Sequence, residues 1–127
     1  MKLAAVGVVI VAILIGLLAW QQAGKSGTNT FADVQANMNN GAILLDVRDE
    51  DEFKAGHIVD ATHFSLKSIE NGETPNVAKN TQLYVYCRSG NRSAQAKQLL
   101  ENAGFTNITD LGGISDVTAM GGKMATE

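Results

Sequence analysis

Cys87 is the only cysteine in the chain, and two of the three arginines, Arg88 and Arg92, follow it closely in the segment YVYCRSGNRS (Tyr84 to Ser93). One cysteine rules out an intramolecular disulfide and a cysteine-rich zinc cluster. It can be an apolar filler, a reactive thiol, or half of an intermolecular bridge. Nucleophilic chemistry requires the thiolate, which forms where cations, a helix N-terminus or converging N–H groups bring the pKa below about 8.5. The spacing here predicts that setting: a strand ends at Cys87, a short loop holding Gly90 follows, and a helix begins near Ser93. Successive amides of such a loop form an anion nest, and the helix adds the positive end of its dipole. Arg88 and Arg92 contribute fixed charge suited to a doubly charged oxyanion. The setting favours the reactive thiol. Arg88, Ser89, Gly90, Asn91 and Arg92 are then candidate substrate-binding residues. The hydroxyls of Ser89 and Ser93 can donate to the sulfur, and Ser93 can equally be the helix N-cap.

The elements that must hold this loop are legible in outline. Thr30 and Asp33 form a capping-box-like start to a helix whose Phe31, Val34 and Met38 share one face, ended by Asn39-Asn40-Gly41. Ala42 to Val47 is a short apolar run typical of a strand buried on both faces. Asp51 to Ala55 reads as one or two helical turns stopped by Gly56, Ala61 to Phe64 as a short strand, and Leu66 to Glu70 as a helical turn. Residues 71–80, with the only proline, read as loop. Leu83 to Tyr86 is strand-like. Ser93 to Ala103 is a helix with a stripe of Ala96, Leu99, Leu100 and Ala103, closed by Gly104. Residues 107–111 supply a last strand. Alternating strands and helices predict an α/β fold around a parallel sheet, whose ligands bind at the carboxyl ends of the strands, where Cys87 falls.

The 127 residues divide into an N-terminal segment (1–22), a small polar linker (23–29) and one domain (30–127). Leu3 to Trp20 is an uncharged apolar run of 18 residues. As a helix it would be roughly 27 Å long, just short of a ~30 Å hydrocarbon core. It reads as a transmembrane anchor, with a cleaved signal peptide or an unusual buried helix as rivals; its length and poor small-x-small cleavage pattern favour the anchor. That places the domain at a membrane, outside the cytoplasm (periplasmic), or secreted there after cleavage. A net charge of -3 and pI near 5.3 argue against a nucleic-acid partner.

The stretch LLDVRDEDEFKAGHIVDATHF (Leu44 to Phe64) resembles the D-V-R, x-x-E-F, G-H-I signature of the rhodanese family. YVYCRSGNRSAQAKQLLENAGF and LGGI resemble that family's active-site loop, following helix and closing turn. The resemblance runs from about Phe31 to Ile114. It implies a doubly wound sheet of about five parallel strands. It also implies transfer of sulfane sulfur from an anionic donor such as thiosulfate, or from a persulfide, to cyanide or a thiol through a Cys87 persulfide, without cofactor or metal. A loop of six residues, Cys87 to Arg92 in C-x4-R spacing, matches the sulfurtransferases; the related cell-cycle phosphatases carry C-x5-R. The smaller ring of amides fits a sulfur atom and argues against phosphatase chemistry.

On this reading Cys87 attacks the outer sulfur, the loop amides hold the persulfide, and Arg88 and Arg92 orient the anion. In the resembled family Asp46 and Arg48 mainly hold loops together. His57 is expected to bond backbone, His63 has no assigned role, and Tyr84 and Tyr86 read as packing. In the family a helix with a tryptophan usually follows; here Ser115 to Glu127 has no tryptophan and carries a Gly-Gly pair, which bears on substrate access at the mouth of the site. A second functional reading is a membrane-tethered sulfur carrier with little turnover of its own.

Overall fold

The computed structural model describes residues 30–126. In chain order its elements are α1 (Phe31–Asn39), β1 (Ile43–Asp46), α2 (Glu50–Ala55), β2 (His57–Ile58), β3 (Thr62–His63), α3 (Leu66–Glu70), β4 (Leu83–Cys87), α4 (Asn91–Asn102), β5 (Ile108–Gly113), α5 (Ile114–Ala119) and β6 (Met124–Ala125). The apolar run Leu3–Trp20 and the linker after it lie outside the described residues. Among the described residues, no helix is long and apolar enough to cross a membrane.

The main sheet is parallel, in the order β3-β1-β4-β5. It has four strands, not the five that the family resemblance implies. The remaining two strands, β2 and β6, pair antiparallel in a separate ribbon. The physical reason is local. Gly56 has a φ of 159°, extended backbone that turns the chain directly from α2 into a two-residue strand, which the C-terminal tail then covers.

Alternation along β4 builds two cores at once. Leu83, Val85 and Cys87 face α3 and α4 and pack with Leu45, Val47, Leu66, Ile69, Ala96, Leu100 and Phe105. Tyr84 and Tyr86 face the other way and pack with Phe31, Val34, Leu44, Ile58 and Val117. A strand apolar on both sides has no stable place at a sheet edge or on a wet face, so β4 lies in the interior of the sheet. The chain leaves β1 toward β3 on one side and returns to β4 on the other. This reversal makes the carboxyl ends of β1 and β4 the crevice where parallel α/β sheets take ligands.

The crevice floor is braced by buried polar groups. Asp46, with no exposure, accepts two hydrogen bonds from the Arg48 side chain through Oδ2 and a further one from the Tyr86 hydroxyl at 2.7 Å. Its Oδ1 takes the Arg48 backbone N–H and Nε–H, each at 3.0 Å. Arg48 Nη2 also donates to the carbonyl of Gly56 at 2.7 Å. Burial opposes the Arg48 charge, but the hydrogen bond and proximity of Asp46 outweigh it and raise its pKa. Tyr86 is more than the packing residue its strand position suggests, because its hydroxyl also accepts the Ile58 N–H at 3.0 Å. Burial first, and then the bond to Asp46, hold its pKa well above the ordinary phenol. Tyr86→Phe would leave the buried Ile58 N–H unpaired and Asp46 one donor short. Urea denaturation should register a loss of about 1–3 kcal/mol, the usual cost of orphaning a buried polar group.

Candidate active site

Cys87 ends β4 with no exposed surface, and its sulfur lies within reach of a backbone amide and a hydroxyl. The Gly90 N–H points at Sγ from 3.0 Å, and the Ser93 hydroxyl lies 3.5 Å away. Gly90 is the N-cap of α4 in the left-handed region (φ 102°), which lets the chain turn from loop into helix within three residues of the cysteine. The helix therefore starts at Asn91, two residues earlier than its sequence pattern suggests. Ser93 is thus not the N-cap. It is the third helical residue, fully buried, with its hydroxyl also 3.0 Å from the carbonyl of Gly90. That hydroxyl can serve both states of the cysteine. With a thiol it accepts from sulfur and donates to Gly90; with a thiolate it turns to donate to sulfur.

Burial alone would push the Cys87 pKa up. The Ser93 hydroxyl and the backbone amides of Ser93, Gly90 and Ser89 more than offset this, and the thiol sits below its ordinary value. The expected ring of amides is thus present in part. Arg88, Ser89 and Asn91 present exposed side chains at the rim.

The loop fits only because of a glycine across the sheet. Gly113 pairs with Cys87, and a Cβ there would stand 2.7 Å from the Arg88 carbonyl oxygen and 3.1 Å from Ser89 Cα. A register shift brings it opposite. Val85 pairs with Asp110 but Tyr86 with Gly112, so Leu111 is the extra residue of a bulge. The Gly113 N–H is in turn bound by Asp116 at 2.8 Å. Sequence spacing alone gave no sign of this role, since LGGI reads as a closing turn.

The arginines divide. Arg92 does not stand free at the loop: its Nη1 and Nη2 meet the two oxygens of Glu52 at 2.6 and 3.0 Å, and Asp49 lies 4.0 Å from Nη1. The hydrogen bond to Glu52 raises the Arg92 pKa over the opposing effect of burial, and Arg92 in turn lowers that of Glu52. Arg88 makes no ion pair or hydrogen bond with its side chain among the described residues. It borders an open cleft of about 400 Å³ together with Glu52, Ala55, Ile114 and Met124. Met124 belongs to the short tail, so the tail forms one wall of this cleft. Glu52 was visible in the sequence only as part of the x-x-E-F pattern, 40 residues from its partner.

Asp46 and Arg48 brace the crevice, as the fold above describes. His57 Nδ1 lies 2.9 Å from the carbonyl of Phe53, and the two rings stack at 3.8 Å. His63 Nε2 lies 2.8 Å from the carbonyl of Arg48. Both imidazoles bond backbone, and neither is bonded to the sulfur.

The profile of the rhodanese-like domain matches residues 30–120. The chain belongs to the rhodanese-like domain family. It is 34% identical over 74 residues to the thiosulfate sulfurtransferase PspE of Escherichia coli (strain K12), covering 58% of this chain and 71% of PspE. It is likewise 34% identical over 77 residues to the thiosulfate sulfurtransferase GlpE of Pseudomonas entomophila (strain L48), with 58% of this chain and 66% of GlpE covered. Among solved structures it is similar to a rhodanese with anions from E. coli, at a TM-score of 0.59 and 29% identity over 68% of this chain and 99% of that one.

The depressed thiol pKa has a measurable consequence. Thiolate absorbance of the folded protein should titrate with a midpoint below that of the unfolded chain, and Ser93→Ala should move it upward. The ionised thiol stabilises the fold above the unfolded pKa, and that contribution is lost as pH falls through the folded value. Gly113→Ala should lower stability by roughly 1–3 kcal/mol, as forced overpacking does, and displace the loop. A thermal melt beside the same titration would register both effects.

Proposed function

We propose that the protein is a sulfurtransferase that moves sulfane sulfur from thiosulfate or a persulfide donor to cyanide or a thiol acceptor through a persulfide on Cys87. The observation that carries this reading is the cradle itself. A buried sulfur receives the Gly90 amide and faces the Ser93 hydroxyl, with its pKa held down. Such a site favours the ionised nucleophile without a separate base. The likeness to the two thiosulfate sulfurtransferases supports the same chemistry.

The thiolate attacks the outer sulfur of thiosulfate, the S–S bond breaks, and sulfite leaves with the bonding pair. Cys87 is left as an anionic persulfide, whose charge the loop amides and the Ser93 hydroxyl stabilise. Cyanide or a thiolate then takes the outer sulfur, and the electrons of the broken bond restore the Cys87 thiolate. Arg88, unpaired at the rim, is the cation placed to meet the incoming anion. The apolar run Leu3–Trp20 would tether this domain to a membrane with the site on the extracytoplasmic side; retention of the full-length chain in a washed membrane fraction tests that.

A second reading is a sulfur carrier that loads Cys87 but turns over slowly. It is favoured by the lack of any exposed surface on Cys87, which slows the approach of donors and acceptors to Sγ. Thiosulfate-to-cyanide turnover by the full-length protein tests the first reading. Cys87→Ser should abolish it, and activity surviving in that variant would sink the mechanism. Little turnover together with a mass gain of one sulfur atom on Cys87 would select the carrier. Arg88→Ala should raise KM for thiosulfate by roughly tenfold, the weight of one partly screened charge, while kcat changes less.

A further inference from the structure

The three arginines of the chain all lie near the crevice, yet two of them are already neutralised. Arg48 is paired with Asp46 at 2.7 Å and Arg92 with Glu52 at 2.6 Å, while Arg88 pairs with nothing among the described residues. With Cys87 ionised, the loop thus holds one uncompensated cation against one anion. The two charges cancel, so a doubly charged donor meets a loop with no net positive charge left and brings one negative charge more than a singly charged donor does.

Glu52 is fixed in this task by its own helix. It is the N3 residue of α2, and Oε1 accepts the Asp49 N–H at 3.4 Å in a capping box while also meeting Arg92. Arg92 sits in the first turn of α4, one residue before Ser93. A cation at a helix N-terminus faces the positive end of the dipole, so a carboxylate partner relieves it. Both side chains are mostly enclosed, Arg92 with 28% and Glu52 with 29% of the side chain exposed, so solvent screens the pair only in part.

We propose that Glu52 sets the charge specificity of the site: by masking Arg92 it leaves Arg88 as the single uncompensated cation and tunes the loop to sulfane donors that carry one negative charge, persulfides included. This rests on the sulfur-transfer reading and narrows its donor class. Glu52 touches no reacting atom and acts through Arg92, as a positioning and charge-setting residue. The reaction with a singly charged donor balances without further reagents. The Cys87 thiolate attacks the outer sulfur of an alkyl thiosulfonate, the S–S bond breaks, and the sulfinate departs with the electron pair.

Thiosulfate and methanethiosulfonate make a matched pair of probes, because both break a bond between sulfane sulfur and a sulfonyl group but differ by one charge. With cyanide as acceptor, the full-length protein should show the higher kcat/KM for methanethiosulfonate. Glu52→Gln should raise the thiosulfate-to-methanethiosulfonate ratio roughly tenfold, the effect of unmasking one partly screened charge a few ångströms away. It should also lower the thiolate midpoint of Cys87. Arg92→Gln leaves Glu52 as a bare anion and should shift both quantities the opposite way. A merely structural clamp predicts proportional losses for both donors and shifts of the same sign in both variants, which would overturn the proposal. So would a wild-type preference for thiosulfate, a comparison that needs no variant to fold. Failure of the sulfur-transfer reading shows itself separately, as no sulfur on Cys87 from either donor.

Discussion

A thiolate removed from water must recover, from the protein, the hydrogen bonds it gave up. Cys87 has no contact with solvent, so its ionised form exists only if the loop supplies donors in the right places. Much of the local architecture follows from that need. Gly90 adopts a left-handed conformation so that its own amide and the first turn of α4 come round to the sulfur. Ser93 is drawn inside as the third helical residue, and its hydroxyl adapts to thiol and thiolate alike. The loop can close this tightly only because Gly113 offers no Cβ to collide with the Arg88 carbonyl. The bulge at Leu111 delivers that glycine to the position opposite Cys87.

The surrounding charge is arranged as pairs that stay within the protein. Arg48 closes on Asp46 and on the Gly56 carbonyl, tying β1 to the far end of α2. Glu52, near the start of the same helix, closes on Arg92 and so ties α2 to α4. The six-residue helix is thereby the brace between the two strand ends that form the crevice. Buried and half-buried pairs of this kind contribute little net stability once desolvation is counted. Their weight lies in fixing geometry and in cancelling charge. The free charge that remains, on Arg88, then has a larger say in what the site attracts.

The sequence revealed the strand, the cysteine, the loop and the helix because each has a local signature: an apolar run, a glycine, an i, i+3, i+4 stripe. It revealed the order of elements and the carboxyl-end location of the site for the same reason. What stayed hidden depends on contacts between distant residues. Glu52 and Arg92 are 40 positions apart, and nothing in either segment announces the partner. Tyr86 looks like any strand aromatic until its hydroxyl meets Asp46 and Ile58. The two-residue strands β2 and β6 are too short to show a period, and only the tail's return reveals them. Ser93 is open in the sequence between donor to the sulfur and helix N-cap, because Ser at a helix start ordinarily caps it. Here Gly90 took that place by virtue of a φ that only the folded loop discloses.

Under the proposed sulfur transfer, burial of Cys87 also bears on which half of the reaction the site protects. Before loading, the reacting atom is Sγ, which has no exposed surface and accepts the Gly90 amide. Once loaded, the transferable atom is the second sulfur, about 2 Å farther out along the S–S bond. The charge moves with it to the second sulfur. The donors that favour the thiolate are therefore not all placed to serve the persulfide equally, and the loop must share its hydrogen bonds between two sulfur positions. The hydroxyl of Ser93, able to rotate, suits this division better than a fixed amide. A cradle with one adaptable donor and several rigid ones can favour ionisation in the empty state and still release the outer sulfur to an acceptor.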